Sequence, residues 1–215
     1  MSRTKLKKQE IVEFFERFHQ AEPNPKGELN SVNDFTFLVA VVLSAQATDL
    51  SVNKATKTLF ELADTPEKML SLGLSQVEHH IRTIGLYKSK AKNVIRLCQQ
   101  IITQFDNKIP DNLTDLMSLA GVGRKTANVY LNQIHGRPTI AVDTHLFRMG
   151  NRTGLAPGTS PLEVETTLLR VIPDEFKRHA HHWLILHGRY ICLARKPRCR
   201  VCIINDLCKY KNKAE

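Results

Sequence analysis

Apolar residues recur along most of this chain with the spacing of an α-helix, and this periodicity restricts its fold more than any other feature. One amphipathic stretch runs from Ile11 to Phe18 and another from Ala91 to Phe105. The apolar segment NDFTFLVAVVLSAQ, residues 33–46, has a strand-like composition but no hairpin turn or neighbouring strand signal, so we predict a buried helix there. We therefore expect an all-α protein of about ten helices.

The charge balance favours a polyanionic partner. The 215 residues include 31 Lys and Arg against 21 Asp and Glu, giving a net charge of +10 and a pI near 9.5. Such a surplus indicates nucleic acid before a membrane surface. The basic start of the chain has no apolar run behind it, and the longest apolar run, Phe37 to Leu43, is too short to span a bilayer. We expect a cytoplasmic monomer without a membrane segment.

Two glycines separate a pair of predicted helices in the stretch LAGVGRKTANVYLN, residues 119–132. Gly121 and Gly123 permit positive φ and close approach of another backbone, and the free N–H groups of the following helix can hold a phosphate. A plain connection between helices is the alternative. Arg124 and the overall charge favour phosphate binding.

Lys125 lies in the first turn of the second helix, where the helix dipole disfavours a cation. A nucleophilic lysine must be neutral, and we expect the helix dipole, Arg124 and desolvation to lower the pKa of Lys125. The alternative is a solvated lysine. Asp143 begins a later helix, either as a simple cap or as a carboxylate that faces Lys125 and handles protons or sugar charge.

Four of the five cysteines lie close together near the C-terminus, separated by six, two and five residues: Cys192, Cys199, Cys202 and Cys208. Four thiolates in one short segment can enclose a single metal centre, and the spacing leaves both zinc and an iron–sulfur cluster open. The neighbouring cations, Arg195, Lys196, Arg198 and Arg200, either contact DNA phosphates or only aid solubility. We expect the nearby histidines in RHAHHWLILHGRY to pack rather than to bind metal.

Several motifs in the same order resemble the endonuclease III family of helix-hairpin-helix DNA glycosylases. They are LSAQATD at residues 43–49, TIGLYKSKA at 83–91, GVGRKTAN, VDTHLFR, HHWLILHGRY and the cysteine spacing. The resemblance implies a six-helix barrel domain with the helix-hairpin-helix at residues 27–136. It also implies a discontinuous iron–sulfur domain from residues 1–26 and 137–215.

The activity that the resemblance implies is that of a bifunctional enzyme in base excision repair. Such an enzyme removes oxidised pyrimidines from duplex DNA through a lysine Schiff base, then cleaves the strand by β-elimination as an apurinic/apyrimidinic lyase. The rival readings are a related adenine glycosylase, which lacks the lysine at the position of Lys125, and a non-catalytic DNA-binding module.

The resemblance also implies roles for individual residues. Lys125 matches the nucleophile and Asp143 the catalytic carboxylate, while the four cysteines match the ligands of a [4Fe-4S] cluster. The expected DNA contacts are Gln46 and Leu86, which fill the duplex where a nucleotide leaves, with Gly121, Gly123, Arg124, His145, Arg195, Lys196 and Arg198. One departure is that Ala120 stands where the family usually has proline.

Overall fold

The computed structural model describes residues 5–214, and within this range the chain forms ten α-helices, one short 3₁₀ helix and no strand. The all-α prediction is confirmed. Residues 1–4, with which the basic N-terminal stretch begins, and residue 215 lie outside the described part. The helices are α1 (Lys8–Ala21), α2 (Asp34–Leu43), α3 (Asp49–Leu62), α4 (Pro66–Ile81), α5 (Tyr87–Phe105), α6 (Leu113–Ser118), α7 (Arg124–His135), α8 (Thr144–Thr153), α9 (Pro161–Val171) and α10 (Asp174–Tyr190), and the 3₁₀ helix is Cys199–Val201.

Side-chain caps fix where several helices begin. Thr65 accepts a hydrogen bond from the Lys68 N–H ahead of a first-turn proline, and Ser160 caps α9 in the same way. Ser75 and Glu78 also have the spacing of a capping box, which predicts a helix start at Ser75. The structure supports a start within two residues of this position, because α4 is divided into two helical parts at Gly73, whose φ of 80° lies in the left-handed region that glycine enters without steric cost.

The helices are divided between two compact units. The middle unit spans Glu28–His135, and the terminal unit combines the chain up to Gly27 with the chain from Gly136 onward. No helix in the described part of the chain is both long enough and apolar enough to cross a membrane.

In the middle unit, α2 lies at the centre of the core. Every residue from Phe35 to Leu43 is buried, as expected for a helix that is apolar on all sides. The helix packs against α3, α5 and α7, and the pair α4 and α5 completes much of the remaining core. The buried helix predicted within residues 33–46 is therefore confirmed over Asp34–Leu43, whereas residues 44–46 form a turn. The helix supports α7, which carries Lys125.

In the terminal unit, aromatic side chains join α1 to α10. Phe14, Phe15 and Phe18 of α1 are buried, and the rings of Phe15 and Phe18 lie 6.3 and 6.4 Å from that of Trp183. The indole Nε1 of Trp183 also donates a 2.7 Å hydrogen bond to the Glu22 carbonyl, which satisfies its one polar group. In the same unit α10 packs on α8, which begins after Asp143.

Candidate functional site

The connection between α6 and α7 is a tight turn, residues 119–123, which we call the hairpin turn. The Val122 N–H donates to the Leu119 carbonyl at 3.1 Å, and Gly121 has a φ of +78°. A Cβ on Gly121 would lie 3.0 Å from Cγ1 of Val42 and 3.1 Å from Cβ of Asn93. Glycine is thus required at position 121 both by its backbone conformation and by the close approach of its neighbours.

The hairpin turn leads directly into the N-terminus of α7. The carbonyl of Gly123 accepts the first helical hydrogen bond, from the Ala127 N–H, so the N–H groups of the first turn point out of the N-terminal end of the helix. Arg124 is exposed and Lys125 is half-buried, and the first turn contains no acidic residue. Amide donors, the positive helix end and a basic side chain suit a phosphate.

Asp143 is the N-cap of α8. Its Oδ1 accepts hydrogen bonds from the N–H groups of His145 and Leu146 at 2.8 and 2.9 Å, and the side chain is half-buried. The capping role considered in the sequence analysis is therefore real. Both capping hydrogen bonds use Oδ1 of Asp143, so the Oδ2 atom of the same carboxylate takes no part in the cap.

His145 is held in place on the first turn of α8. Its Nδ1 lies 3.2 Å from Nη2 of Arg148, which donates to the Gly188 carbonyl at 2.6 Å. A Cβ on Gly188 would lie 2.9 Å from Cβ of His145, so α8 and α10 approach closely at this point. This packing holds the imidazole beside the turn that Asp143 caps.

Gln46 and Leu86, which were predicted to fill the duplex, share an unusual backbone geometry. Gln46 has a φ of 55° and Leu86 a φ of 61°, and both side chains are exposed, Leu86 to 63%. Left-handed conformations of residues with side chains cost about 1–3 kcal/mol and cluster at functional sites. Both residues lie in turns of the middle unit, after α2 and before α5.

All four clustered cysteines line one cavity, together with Arg152 and His187 among other residues. Nε2 of His187 lies 3.3 Å from Sγ of Cys202, while His181, His182 and His187 are all buried. Among residues 5–214, no group of three or more His, Cys, Asp or Glu side chains is arranged so that it could hold a metal ion. The four cysteines thus share one cavity without forming a closed set of metal ligands.

The cysteine environment bears on which group could bind there. Burial raises the pKa of the Cys202 thiol to about 11 and raises that of Cys208 as well. Thiols in such surroundings become thiolates when a bound metal offsets their charge. Four sulfur donors that line one cavity thus have the number and the chemistry that a thiolate-held metal centre requires, although the described arrangement is not itself a metal site.

Two arginines of α8 anchor the start of the cysteine segment. Arg148 Nε donates to the Cys192 carbonyl at 2.9 Å, and Arg152 donates to the carbonyls of Leu193 and Ala194 at 2.6 and 2.8 Å. Neither arginine was predicted from the sequence to have a role, although Arg148 lies within the VDTHLFR motif. The helix that Asp143 caps therefore also holds the first cysteine.

The predicted basic contacts lie on the surface of the same segment. Arg195, Lys196 and Arg198 are exposed, and Lys196 has a φ of 48°. Exposed cations on a loop that is fixed at both sides can reach a DNA backbone.

Comparison with known proteins identifies the class to which these features belong. A model of the HhH-GPD superfamily of base excision DNA repair proteins matches residues 39–174, and the chain belongs to this superfamily. It is an enzyme of the DNA glycosylase class. Within the superfamily the chain belongs to the endonuclease III family. It is 53% identical to endonuclease III of Haemophilus influenzae and 54% identical to that of Escherichia coli, in each case over 98% of this chain and 100% of the relative.

Solved structures agree with this assignment. A trapped endonuclease III–DNA covalent intermediate superposes with a TM-score of 0.88 at 44% identity, covering 95% of this chain and 96% of the other. A thermostable thymine-DNA glycosylase superposes with a TM-score of 0.83 at 22% identity, over 94% of this chain and 96% of the other, which is a likeness of fold.

Proposed function

We propose that this protein is a bifunctional DNA glycosylase and apurinic/apyrimidinic lyase that removes oxidised pyrimidines such as thymine glycol from damaged double-stranded DNA, with Lys125 as its nucleophile. The observation that carries the proposal is that Lys125 is a half-buried residue in the first turn of α7, beside backbone N–H groups suited to a phosphate. Family membership supports it, since a relative has been captured as a covalent DNA intermediate.

Binding begins with the DNA backbone and requires that the damaged nucleotide leave the duplex. A base in a duplex hides the sugar carbon that must be attacked, and rotating it out costs a few kcal/mol, less where damage weakens stacking. In our proposal the hairpin turn and Arg124 hold phosphate, while the exposed Gln46 and Leu86 occupy the space that the nucleotide vacates. Arg195, Lys196 and Arg198 add phosphate contacts, and His145 lies near the extruded nucleotide.

The chemistry then proceeds from the lysine amine. Neutral Lys125 Nζ attacks the anomeric carbon C1′, the bond from C1′ to the base breaks, and the base leaves with the electron pair and takes up a proton. Asp143 stabilises the positive charge that develops on the sugar and accepts a proton from the attacking amine. C1′ is then bonded to both Nζ and O4′, and the C1′–O4′ bond breaks as O4′ takes up the proton that Asp143 accepted, which opens the sugar ring and forms the iminium. The iminium acidifies C2′, whose proton is lost as the bond to the 3′ phosphate breaks, and water finally releases Lys125.

We further propose that Cys192, Cys199, Cys202 and Cys208 hold a [4Fe-4S] cluster. The family, the cysteine spacing and the single cavity that the four side chains line support this. When bound, the cluster would supply an anchor for the loop that carries the basic side chains. Iron and sulfide analysis distinguishes a cluster from zinc. Colour gives a second test, because a protein with a cluster is brown and a protein with zinc is colourless. The enzyme would act on DNA in the cytoplasm.

Capture with borohydride tests the nucleophile. Wild-type protein, Lys125→Ala and a control, Lys57→Ala at an exposed position of α3, are mixed with a duplex that contains one thymine glycol. We expect wild type and the control to be captured covalently and Lys125→Ala to bind without capture. Wild-type protein that binds this duplex but is never captured would contradict the proposal and favour a non-catalytic DNA-binding module.

A further inference from the structure

One side chain of α5 is bonded to the backbone on both sides of the first residue of the hairpin turn. Gln100 Nε2 donates to the Ser118 carbonyl at 3.0 Å, and Gln100 Oε1 accepts from the Ala120 N–H at 2.7 Å. A side-chain amide is both donor and acceptor, so one glutamine satisfies both groups. Leu119 between them is extended, with φ −73° and ψ 142°, which turns the two groups toward the same side.

The face of α5 that carries Gln100 contacts the hairpin turn at a second residue. Asn93 lies seven residues before Gln100, two helical turns away on the same face, and its side chain packs against Gly121. Residues on either side of Ala120 are thus held by α5, by hydrogen bonds at Ser118 and by packing at Gly121. Gln100 itself is half-buried, and its hydrogen bond from the Ala120 N–H is partly shielded from water, whereas its bond to the Ser118 carbonyl is exposed.

A proline at position 120 would restrain the same segment in a different way. Its ring would fix φ, and the conformation of Leu119 is the one that a residue before proline adopts. The ring carbon Cδ would, however, occupy the place of the N–H hydrogen, and Oε1 of Gln100 lies only 2.7 Å from that nitrogen. The proline ring and the bonded Gln100 therefore exclude one another.

We propose that Gln100 is a positioning residue for the DNA-binding hairpin, and that its two hydrogen bonds fix the hairpin turn in the way that a proline ring at position 120 would. The proposal rests on the proposed function, in which the hairpin turn holds the DNA backbone. It assigns a role to a helix side chain that touches neither the DNA nor the reacting atoms.

A double-mutant cycle tests the proposal. It compares wild type, Gln100→Ala, Ala120→Pro and the double variant, with Gln99→Ala, an exposed neighbour on α5, as the matched control. The readouts are the Kd for a duplex containing a tetrahydrofuran abasic analogue and the amide hydrogen exchange in the free protein, at residue 122 in every variant and at residue 120 in those that keep alanine there. Neither readout requires catalysis by Lys125, so a failure here is distinguishable from a failure of the proposed chemistry.

We expect Gln100→Ala to raise the Kd about three- to tenfold and to speed exchange at residues 120 and 122, because two hydrogen bonds are lost. Ala120→Pro alone should also weaken binding, since the ring displaces Gln100. The double variant should bind within about twofold of wild type, because the ring then restrains the turn without a clash. The single-turnover rate at saturating enzyme should stay within about twofold of wild type in Gln100→Ala, and Gln99→Ala should change nothing.

Two results would overturn the proposal. One is a Gln100→Ala protein that binds and exchanges like wild type. The other is a double variant as weak as the product of the two single effects, since additive losses would mean that the glutamine and the proline do not restrain the same segment.

Discussion

The two glycines of the hairpin turn should respond very differently to substitution by alanine. Gly121 has a φ of +78°, and a Cβ there would lie 3.0 Å from Cγ1 of Val42 and 3.1 Å from Cβ of Asn93. Gly123 has neither constraint, because its φ is outside the left-handed region and nothing lies within 4 Å of an added Cβ. Gly121 is therefore needed for the fold, whereas Gly123 leaves room for a ligand.

The expected magnitudes follow from these contacts. A left-handed alanine costs about 1–2 kcal/mol, and crowding against a packed core adds about 1 kcal/mol or more, so Gly121→Ala should lower the free energy of unfolding by about 2–4 kcal/mol. For Gly123→Ala, the loss of a good N-cap opposes the reduced entropy of the unfolded chain, and the net change should stay within about 1 kcal/mol.

Urea unfolding measures both stabilities, and titration with the abasic-analogue duplex measures binding. We expect Gly121→Ala to lose stability, whereas Gly123→Ala should keep its stability but bind DNA more weakly, because its methyl group obstructs close approach of the phosphate. Equal stability of the two variants would refute the reasoning from the hairpin geometry.

Two further predictions follow from other parts of the structure. Leu86→Gly should leave the free energy of unfolding within about 1 kcal/mol of wild type, because glycine accepts the φ of 61° without strain. The same variant should excise thymine glycol about tenfold more slowly, and unchanged excision would contradict the proposed role of Leu86. Burial lowers the pKa of His182 to about 4, below the value of about 6.5 expected in the unfolded chain. The unfolded state then binds the extra proton, so stability should fall as the pH drops from about 6.5 to 4, and His182→Leu should flatten that part of the urea-unfolding profile. A profile as steep in the variant as in wild type would exclude His182 as the cause.

The helical fold was predictable because its signals are local. The apolar run of α2, the caps at Thr65 and Ser160 and the glycines of the hairpin turn act within a few residues of themselves. Gly73 itself gives a weaker signal, since an isolated glycine in a helical pattern is compatible with a continuous helix, and only the capping pattern at Ser75 indicated a helix start close to it.

The supporting contacts of the site were not predictable for a related reason. Gln100 reaches a backbone segment 18 to 20 residues away, and Arg152 reaches carbonyls 41 and 42 residues away. Bonds from a side chain to a distant backbone leave no periodic or spacing signal. Lys125 and Asp143 were found because each occupies a helix N-terminus that sequence rules can locate, and their catalytic roles are proposals.

The most direct test of the account is to identify the residue that becomes bonded to DNA. After borohydride capture on a thymine glycol duplex, the adduct is digested and the modified residue is located by mass spectrometry. The account predicts a single site of attachment, Nζ of Lys125. Attachment to a different lysine, or to the N-terminal amine, with Lys125 unmodified would contradict it.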